Sequence, residues 1–530
     1  MPSPLEVYRR LEPERSSYEF RAEKCAALTI PYLFPPNGTT AARDFPTPYQ
    51  SNAANGVNTM ASAISLSLLP PNMPFFRYEL DGRLENELRE IQNAYESAGR
   101  PERIYDEVQS GLSLWERAVV KEIERKNYRV GYHEASRLLL VTGNALMEHL
   151  PEGGLRVHGL RSYVICRNPD GTVAEIVLHE LKAADQLTEQ EADAVKAVDW
   201  AWPNLIADKN AKVAIVTRVC FKGDRYEMVQ QVGGEVLEDE AVEGAAGDCQ
   251  FWPLRFSRVS GEHYGRGYVE EYYGDIGSLD TTQQGITEII ALMCKVLFMV
   301  DPASGVNPKS LSTAPNGAFR SGRADAVTTI QVQKIQELMA AMQFHERLAA
   351  QVNRAFAVPE VRNAERVTAE EIRFLQTQLE RSLGGSFPLL ALDLQLPTVR
   401  QITKRLQARK ILPALPREGV EPVVVTGVQA LGRSTDSARL DELAAAATAA
   451  LGPQVVAQHM DASGWLTRKA AALGMDPAGL IRTNAQIQAM QEAANRAAMQ
   501  AEATKAMIPA AGRVLAKAVP EGAGGVPQAA

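Results

Sequence analysis

Residues 155–260 carry a hydrophobic pattern of period two inside a chain that is otherwise patterned for helices. In this region RSYVICR and TVAEIVLHE flank the turn sequence NPDG, and KVAIVTRVCF and RYEMVQQV flank KGD in the same way. Alternating apolar runs joined by such turns predict antiparallel hairpins. The rest of the chain must therefore pack helices around one β region, which makes the fold α+β and mostly helical.

Helical spacing of apolar residues occurs on both sides of the β region. It predicts helices at about 104–126, 131–149, 276–300, 331–357 and 435–451. Residues 301–330 are rich in Gly, Pro, Ser and Ala and predict a loop-rich excursion between two of these helices. Residues 418–433 have the composition of a linker.

A stretch near residue 384 combines a strong helix pattern with residues that normally end a helix. Thr368 and Glu371 form a capping box, and leucines and a phenylalanine then recur at steps of three or four residues across Gly384-Gly385. Because the stripe stays in register, the pattern predicts one kinked helix over 368–411, interrupted again at Pro397. Gly384, Gly385 and Pro388 are the candidate hinge residues.

The composition limits the classes of function. A chain of 530 residues needs several domains, and its net charge of −8 argues against one broad basic face that grips nucleic acid. The sequence has no GK dipeptide for a Walker A loop, and no HExxH or GxSxG motif. We therefore expect no catalytic residues, no metal site and no cofactor. Gly265-Arg266-Gly267 is interpreted as a structural turn, and neither a signal peptide nor a transmembrane segment is predicted.

Five blocks, in order along the chain, resemble the portal proteins, or head-to-tail connectors, of short-tailed double-stranded-DNA phages. They are YEFRAEKCAALTIPYLFP, TPYQSNAANGVNTMASAISLSLLP, NYRVGYHEASRLLLVTGNALM, GEHYGRGYVEEYYGDIGSLD and AERVTAEEIRFLQTQLERSLGGSF. The similarity runs from about residue 5 to about residue 440 and then fades.

The resemblance implies a portal fold with wing, stem, clip and crown regions that assembles as a ring. The implied regions are a mixed α/β wing at 1–274, stem helices at 276–300 and 331–357, a clip at 301–330, a tunnel loop at 358–367, the kinked helix at 368–411, a crown at 412–485 and a partly disordered tail at 486–530.

The resemblance also implies a function. A ring, usually of twelve subunits, would occupy one capsid vertex of the virion, nucleate head assembly, and carry DNA during packaging and ejection. Its implied partners are other copies of the chain, the terminase large subunit, tail adaptor or tail tubular proteins, the major capsid and scaffolding proteins, internal core proteins and the passing DNA. Assembly would take place in the host cytoplasm.

Charged residues near the implied channel and clip are the candidate contacts. Arg354, Arg362, Glu365 and Arg366 are the tunnel-loop or DNA-channel candidates. Arginines at these positions can contact phosphates, or can instead pair with Glu360, Glu365 and Glu370 of neighbouring subunits. Lys309, Arg320 and Arg323 are the clip candidates.

Two other classes of protein remain open. One is a ring-shaped head-tail adaptor or tail protein without a packaging role, which would bind the portal's clip instead of the terminase. The other is a nucleic-acid enzyme, although no carboxylate cluster stands out in the sequence to carry its chemistry.

Overall fold

The computed structural model divides the chain into two compact units, Met1–Leu431 and Gly432–Ala530. The described residues are 2–39, 44–71, 75–80, 82–97, 104–187, 189–197, 211–232, 235–295, 297–319, 323–330, 335–356, 379, 383–384, 386–412, 420–424, 432–452 and scattered positions from 454 to 499.

Helices dominate the first part of unit 1. They are α1 (Pro4–Ala27), α2 (Asn52–Leu68), α3 (Gly82–Ser97), α4 (Ile104–Arg125) and α5 (Tyr128–Thr142). Helix α1 begins with a capping box, since the Ser3 hydroxyl accepts from the Glu6 N–H and the Glu6 carboxylate accepts from the Ser3 N–H. These reciprocal bonds satisfy two N–H groups that a helix start would otherwise leave without partners.

The β region contains two antiparallel sheets. The three-stranded sheet has the order β3-β2-β9, and the five-stranded sheet has the order β4-β5-β6-β7-β8. The bounds are β2 (Asn144–His149), β3 (Leu155–His158), β4 (Tyr163–Arg167), β5 (Val173–Lys182), β6 (Val213–Lys222), β7 (Arg225–Val232), β8 (Glu235–Ala245) and β9 (Phe251–Arg255), with helix α6 (Glu189–Ala197) between β5 and β6. The NPDG and KGD turns join β4 to β5 and β6 to β7, as predicted.

The remaining elements of unit 1 follow the sheets. They are α7 (Tyr268–Glu271), α8 (Tyr273–Met293), β10 (Leu297–Val300), α9 (Pro308–Ser312), β11 (Val327–Ile330), α10 (Ile335–Ala355) and α11 (Ser386–Ala408). Strand β12 (Val420–Val424) pairs with β1 (Phe76–Leu80). In unit 2, α12 (Gly432–Leu451) agrees with the helix predicted at 435–451.

Three predicted boundaries are wrong. Residues 144–149, assigned to a helix from the sequence, form β2, because Gly143 ends α5 in a left-handed conformation at φ +78°. Residues 297–300 form β10 rather than the end of a helix. The stretch interpreted as a linker contributes β12, which pairs residue for residue with β1, far away in sequence.

Three glycines explain why α5 turns so sharply into β2. Any Cβ on Gly143 would lie 2.5–2.7 Å from the backbone of Gly265, Arg266 and Gly267, and Cβ atoms on Gly265 or Gly267 would meet the Gly143 region just as closely. The Asn144 side chain fixes this contact by bonding both the N–H and the carbonyl of Gly265, at 2.7 and 2.9 Å. The glycine pair flanking Arg266 therefore has the structural role that was predicted for it.

Helix α11 crosses the core and runs straight through Pro397, where the sequence predicted an interruption. Proline has no N–H, so Pro397 cannot donate the hydrogen bond of a regular helix. Close to this position, the Leu394 carbonyl accepts from the Tyr132 hydroxyl at 2.9 Å and from the Thr398 hydroxyl at 2.8 Å. Leu394, Thr398 and Val399 are fully buried. Packing and these side-chain bonds hold the helix together where the proline weakens it.

Candidate functional site

Helices α8 and α10 form a helical hairpin whose connecting excursion contains an antiparallel ribbon. Helix α8 leads into β10, and β11 leads back towards α10, with register from Leu297 opposite Ile330 to Val300 opposite Val327. The Gln351 side chain on α10 donates to the Asp275 carboxylate on α8 at 2.9 Å. The two predicted stem helices are therefore packed together, each with shorter bounds than the sequence indicated.

The base of this hairpin is anchored in the core of unit 1. The buried Tyr268 hydroxyl donates to the Ala355 carbonyl at 2.7 Å, and its ring packs edge-on against Phe356 with centroids 5.5 Å apart. Phe356 also fills the space beside α2, where any Cβ on Gly56 would lie 2.6 Å from it. Aromatic packing and close backbone approach fix the direction in which the hairpin leaves the core.

The other end of the hairpin exposes large apolar side chains. Among the described residues these are Ile290, Leu292, Phe298, Met299, Ile335, Met339, Met342 and Phe344, and Phe319 in the excursion is fully exposed. A monomeric soluble protein rarely exposes so many large apolar side chains in one region. The hairpin end therefore has the character of a protein–protein interface.

The clip candidates lie on the excursion. Lys309 is exposed on α9, and Arg323 forms an ion pair with Asp325 at 2.8 Å in which both side chains are largely exposed. Such an exposed pair contributes little to stability, so Arg323 is available to a partner. Arg320 lies outside the described residues.

Of the channel candidates, Arg354 is described and Arg362, Glu365 and Arg366 lie outside the described residues. Arg354 is exposed on the last turn of α10 and donates from Nε to the Ala350 carbonyl at 3.2 Å. Arg347, which the sequence interpretation missed, is exposed seven residues earlier and therefore on the same helix face. No described carboxylate forms an ion pair with either arginine. Their seven-residue spacing in a predicted helix is the signal that would have identified Arg347.

Gly384, one of the hinge candidates, lies at a break in the helix pattern. Gly384 has φ +56° and follows helical Leu383, and α11 then begins at Ser386. A left-handed residue ends an α-helix, so the prediction of one continuous kinked helix is wrong at this point. Pro388 lies in the first turn of α11, where proline is tolerated. Gly385 lies outside the described residues.

The apolar stripe that motivated the hinge is nevertheless buried on both sides of the break. Leu379, Leu383, Leu390 and Leu394 all belong to the main core of unit 1. Apolar side chains before and after the break therefore pack in the same core.

Neither a metal centre nor a membrane span is found within the described part of the chain. No group of three or more His, Cys, Asp or Glu side chains there is arranged to hold a metal ion. No described helix is long and apolar enough to cross a bilayer.

Comparison with known proteins agrees with the resemblance carried by the five blocks. The family model of the bacteriophage head to tail connecting protein matches residues 3–481. The portal protein of Escherichia phage T7 is 34% identical over 495 residues, covering 91% of this chain and 88% of that protein. The portal protein of Enterobacteria phage T3 is 34% identical over 502 residues, covering 92% and 90%. That of Pseudomonas phage phiKMV is 28% identical, covering 92% and 94%.

The match therefore extends over the hairpin, the ribbon, both sheets and α11, and includes part of unit 2. The chain belongs to the bacteriophage head-to-tail connector family, the portal proteins of phage virions.

Proposed function

We propose that the chain forms a ring of twelve subunits at one vertex of the capsid, and that DNA passes through this ring during packaging and ejection. The observation that supports the proposal is that the end of a firmly anchored hairpin exposes the apolar side chains of Phe298, Met339 and Met342. Side chains of this kind are usually covered by another protein surface. In a ring, the partner is the same hairpin of the neighbouring subunit, so every copy is covered. Ring closure leaves no end at which further copies can add.

Rings of arginine follow from repeating the exposed face of α10 around an axis. Arg347 and Arg354 would each occur once per subunit and contact successive phosphates of the duplex. Because the chain as a whole is acidic, most of the remaining surface would repel DNA and leave the passage open. The passage would then hold DNA at a few positions without gripping it along its length.

The excursion supplies a docking surface at one end of the hairpin. Lys309, Arg323 and the fully exposed Phe319 supply charged and aromatic contacts of the kind that dominate interface energies. In this proposal the terminase large subunit docks there during packaging, and tail adaptor proteins replace it afterwards. Scaffolding, major capsid and internal core proteins contact other surfaces, and assembly takes place in the host cytoplasm.

The protein acts structurally in this proposal and is not an enzyme. ATP hydrolysis belongs to the terminase, because the portal sequence lacks a phosphate-binding loop of the Walker A type. The α8–α10 hairpin provides the fixed passage against which that motor pushes the DNA.

We also propose that residues 358–367 act as a valve on the DNA and that the break at Gly384 directs them. An alanine at Gly384 finds open space but must adopt φ +56°, a conformation unfavourable for L-residues by about 1–2 kcal/mol. The double variant Gly384→Ala/Gly385→Ala should therefore package DNA but release it from filled heads. Unchanged retention, measured by nuclease protection of the packaged genome, would rule out the valve.

Electron microscopy of the purified chain tests the central proposal. Rings with an axial opening, and capture of the terminase large subunit by these rings, are the expected results. Rings that bind an intact portal instead of the terminase would identify an adaptor, and a monomer at all concentrations would contradict ring assembly.

A further inference from the structure

The C-terminal ends of α4 and α11 bring a group of basic side chains together around one carboxylate. Glu122 accepts from Arg125 Nε at 2.7 Å and from Arg125 Nη2 at 2.9 Å, and it also forms an ion pair with the nearly buried Arg405. These bonds and the nearby Arg409 hold the pKa of Glu122 below its usual value, even though its burial acts in the opposite direction. Two guanidinium groups thus already satisfy the acid at the centre.

The other cations of this region have no such partner. Lys121, Arg409 and Lys410 are exposed, Lys126 is half-buried, and no described carboxylate forms an ion pair with any of the four. We call Lys121, Lys126, Arg409 and Lys410 the basic patch. Such a concentration of positive charge is unexpected on a chain with a net charge of −8.

The backbone at the patch adopts a conformation that its sequence does not favour. Helix α11 ends in a Schellman motif, with Lys410 N–H bonded to the Gln407 carbonyl at 2.9 Å and Ile411 N–H to the Leu406 carbonyl at 3.0 Å. Lys410 occupies the left-handed position of this motif at φ +57°, where glycine is the usual residue. The other non-glycine residue with positive φ in the described chain is Asn127, directly after Lys126.

Helix-end electrostatics accounts for only part of this arrangement. Cations in the last turn of a helix interact favourably with its dipole, which explains Arg125 and Arg409. The dipole does not explain a lysine at the left-handed position. Glycine at that position would remove the unfavourable backbone conformation and leave the last turn intact. The cost at Lys410 is understandable if its ammonium group has a ligand outside the chain.

We infer that the basic patch binds the phosphate backbone of duplex DNA. The patch offers ammonium and guanidinium donors at the ends of α4 and α11 and in the turn after α4, so it fits a polyanion with spaced charges without reading its sequence. The inference goes beyond the proposed ring and its passage, because the patch is complete within one chain. It contacts DNA whether or not Arg347 and Arg354 do.

Salt-dependent binding tests the patch as a whole. The full chain is titrated into a labelled random-sequence duplex of about 30 base pairs at several salt concentrations, with fluorescence anisotropy as the readout. The triple variant Lys121→Gln/Arg409→Gln/Lys410→Gly should bind at least about tenfold more weakly, and the slope of log K against log salt should fall by about 0.9 for each phosphate that the protein no longer neutralises. The control variant Lys212→Gln removes an exposed cation just before β6 and should behave like the unmodified chain.

The single variant Lys410→Gly separates binding from folding. Glycine suits φ +57°, so the melting temperature should rise while the affinity for DNA falls. A higher melting temperature with unchanged affinity overturns the role of Lys410. Loss of binding caused by unfolding would instead lower the melting temperature.

A measurement on the unmodified chain provides an independent check. Acetylation of Lys121, Lys126 and Lys410 by a water-soluble reagent, read by mass spectrometry, should slow when duplex DNA is present, whereas Lys212 should react equally fast. Equal reactivity with and without DNA overturns the inference. If polyglutamate slows the acetylation of these lysines as much as DNA does, the inference is also overturned, and an acidic protein segment is the partner. Micrographs of the same variants show ring formation separately, so failure of the patch is distinguishable from failure of the ring.

Discussion

A single hydroxyl group joins the helix before the β region to the helix that crosses the core. Tyr132 on α5 is fully buried, and its hydroxyl is 2.8 Å from the Thr398 hydroxyl and 2.9 Å from the Leu394 carbonyl on α11. Tyr132→Phe removes both hydrogen bonds and leaves buried acceptors without this donor, so the free energy of unfolding should fall by about 1 to 2 kcal/mol. Urea unfolding measures this change. Tyr49→Phe, at a largely exposed tyrosine, is the matched control and should have little effect.

His149 makes the stability of unit 1 sensitive to acid. Burial, followed by the charge of Arg405, lowers the pKa of His149 to about 4, whereas an unfolded histidine has a pKa of about 6.5. As the pH falls through 6.5 the unfolded chain takes up a proton that the folded chain does not, so the free energy of unfolding decreases until the pH reaches about 4. The expected loss from this group between pH 7 and pH 5 is about 2 kcal/mol.

The variant His149→Gln removes the titrating group and tests this prediction. Trp252, whose ring centroid is 6.5 Å from that of His149, provides a fluorescence signal for urea unfolding at each pH. The variant should lose less stability than the unmodified chain between pH 7 and pH 5. Parallel pH dependences of the two proteins would contradict the assignment.

At the scale of elements, the join between α5 and β2 depends on the absence of a side chain at Gly143. Gly143→Ala places a methyl group against the backbone of residues 265–267 at φ +78°, and we expect a loss of about 3 kcal/mol or more in the free energy of unfolding. Gly159→Ala is the control, because that glycine has negative φ and open space around it. Equal stability of the two variants would show that the glycine contact is not required.

The elements that could be predicted from the sequence are those specified by local signals. The β4–β5 and β6–β7 hairpins were predicted because their turns and alternation lie within about 20 residues. Strands β2 and β10 were missed because apolar runs of four to six residues after a helix continue its pattern, and only their strand partners distinguish them. The interruption predicted at Pro397 does not occur, because part of what stabilises the helix there comes from Tyr132, a residue far away in sequence.

The candidate site shows the same limit. Arg354 and the excursion could be located along the chain, whereas the core contacts that anchor the hairpin, such as Gly56 against Phe356, require the folded backbone. The basic patch could not be predicted from the sequence, because Lys121 and Lys410 are separated by almost 300 residues and share one region only because α4 and α11 pack together.

At the scale of the whole molecule, assembly should depend on the apolar end of the hairpin more than stability does. Met339 and Met342 are exposed on α10, so Met339→Glu/Met342→Glu should leave the isolated chain folded but introduce charges into the proposed subunit interface. Negative-stain micrographs should show loss of rings, while circular dichroism should remain unchanged. The exposed Leu114 on α4 offers the control variant Leu114→Glu, which should still form rings.

The anchored base of the hairpin has a consequence for how portals diverge. Among the described residues of 297–319, none is buried in a core, whereas Tyr268 and Phe356 at the base are almost completely enclosed. Mutations in this segment should therefore leave the folding of unit 1 almost unchanged. On the proposal that terminase and tail proteins dock here, a change of tail partner requires substitutions in this segment while the core of unit 1 stays as it is.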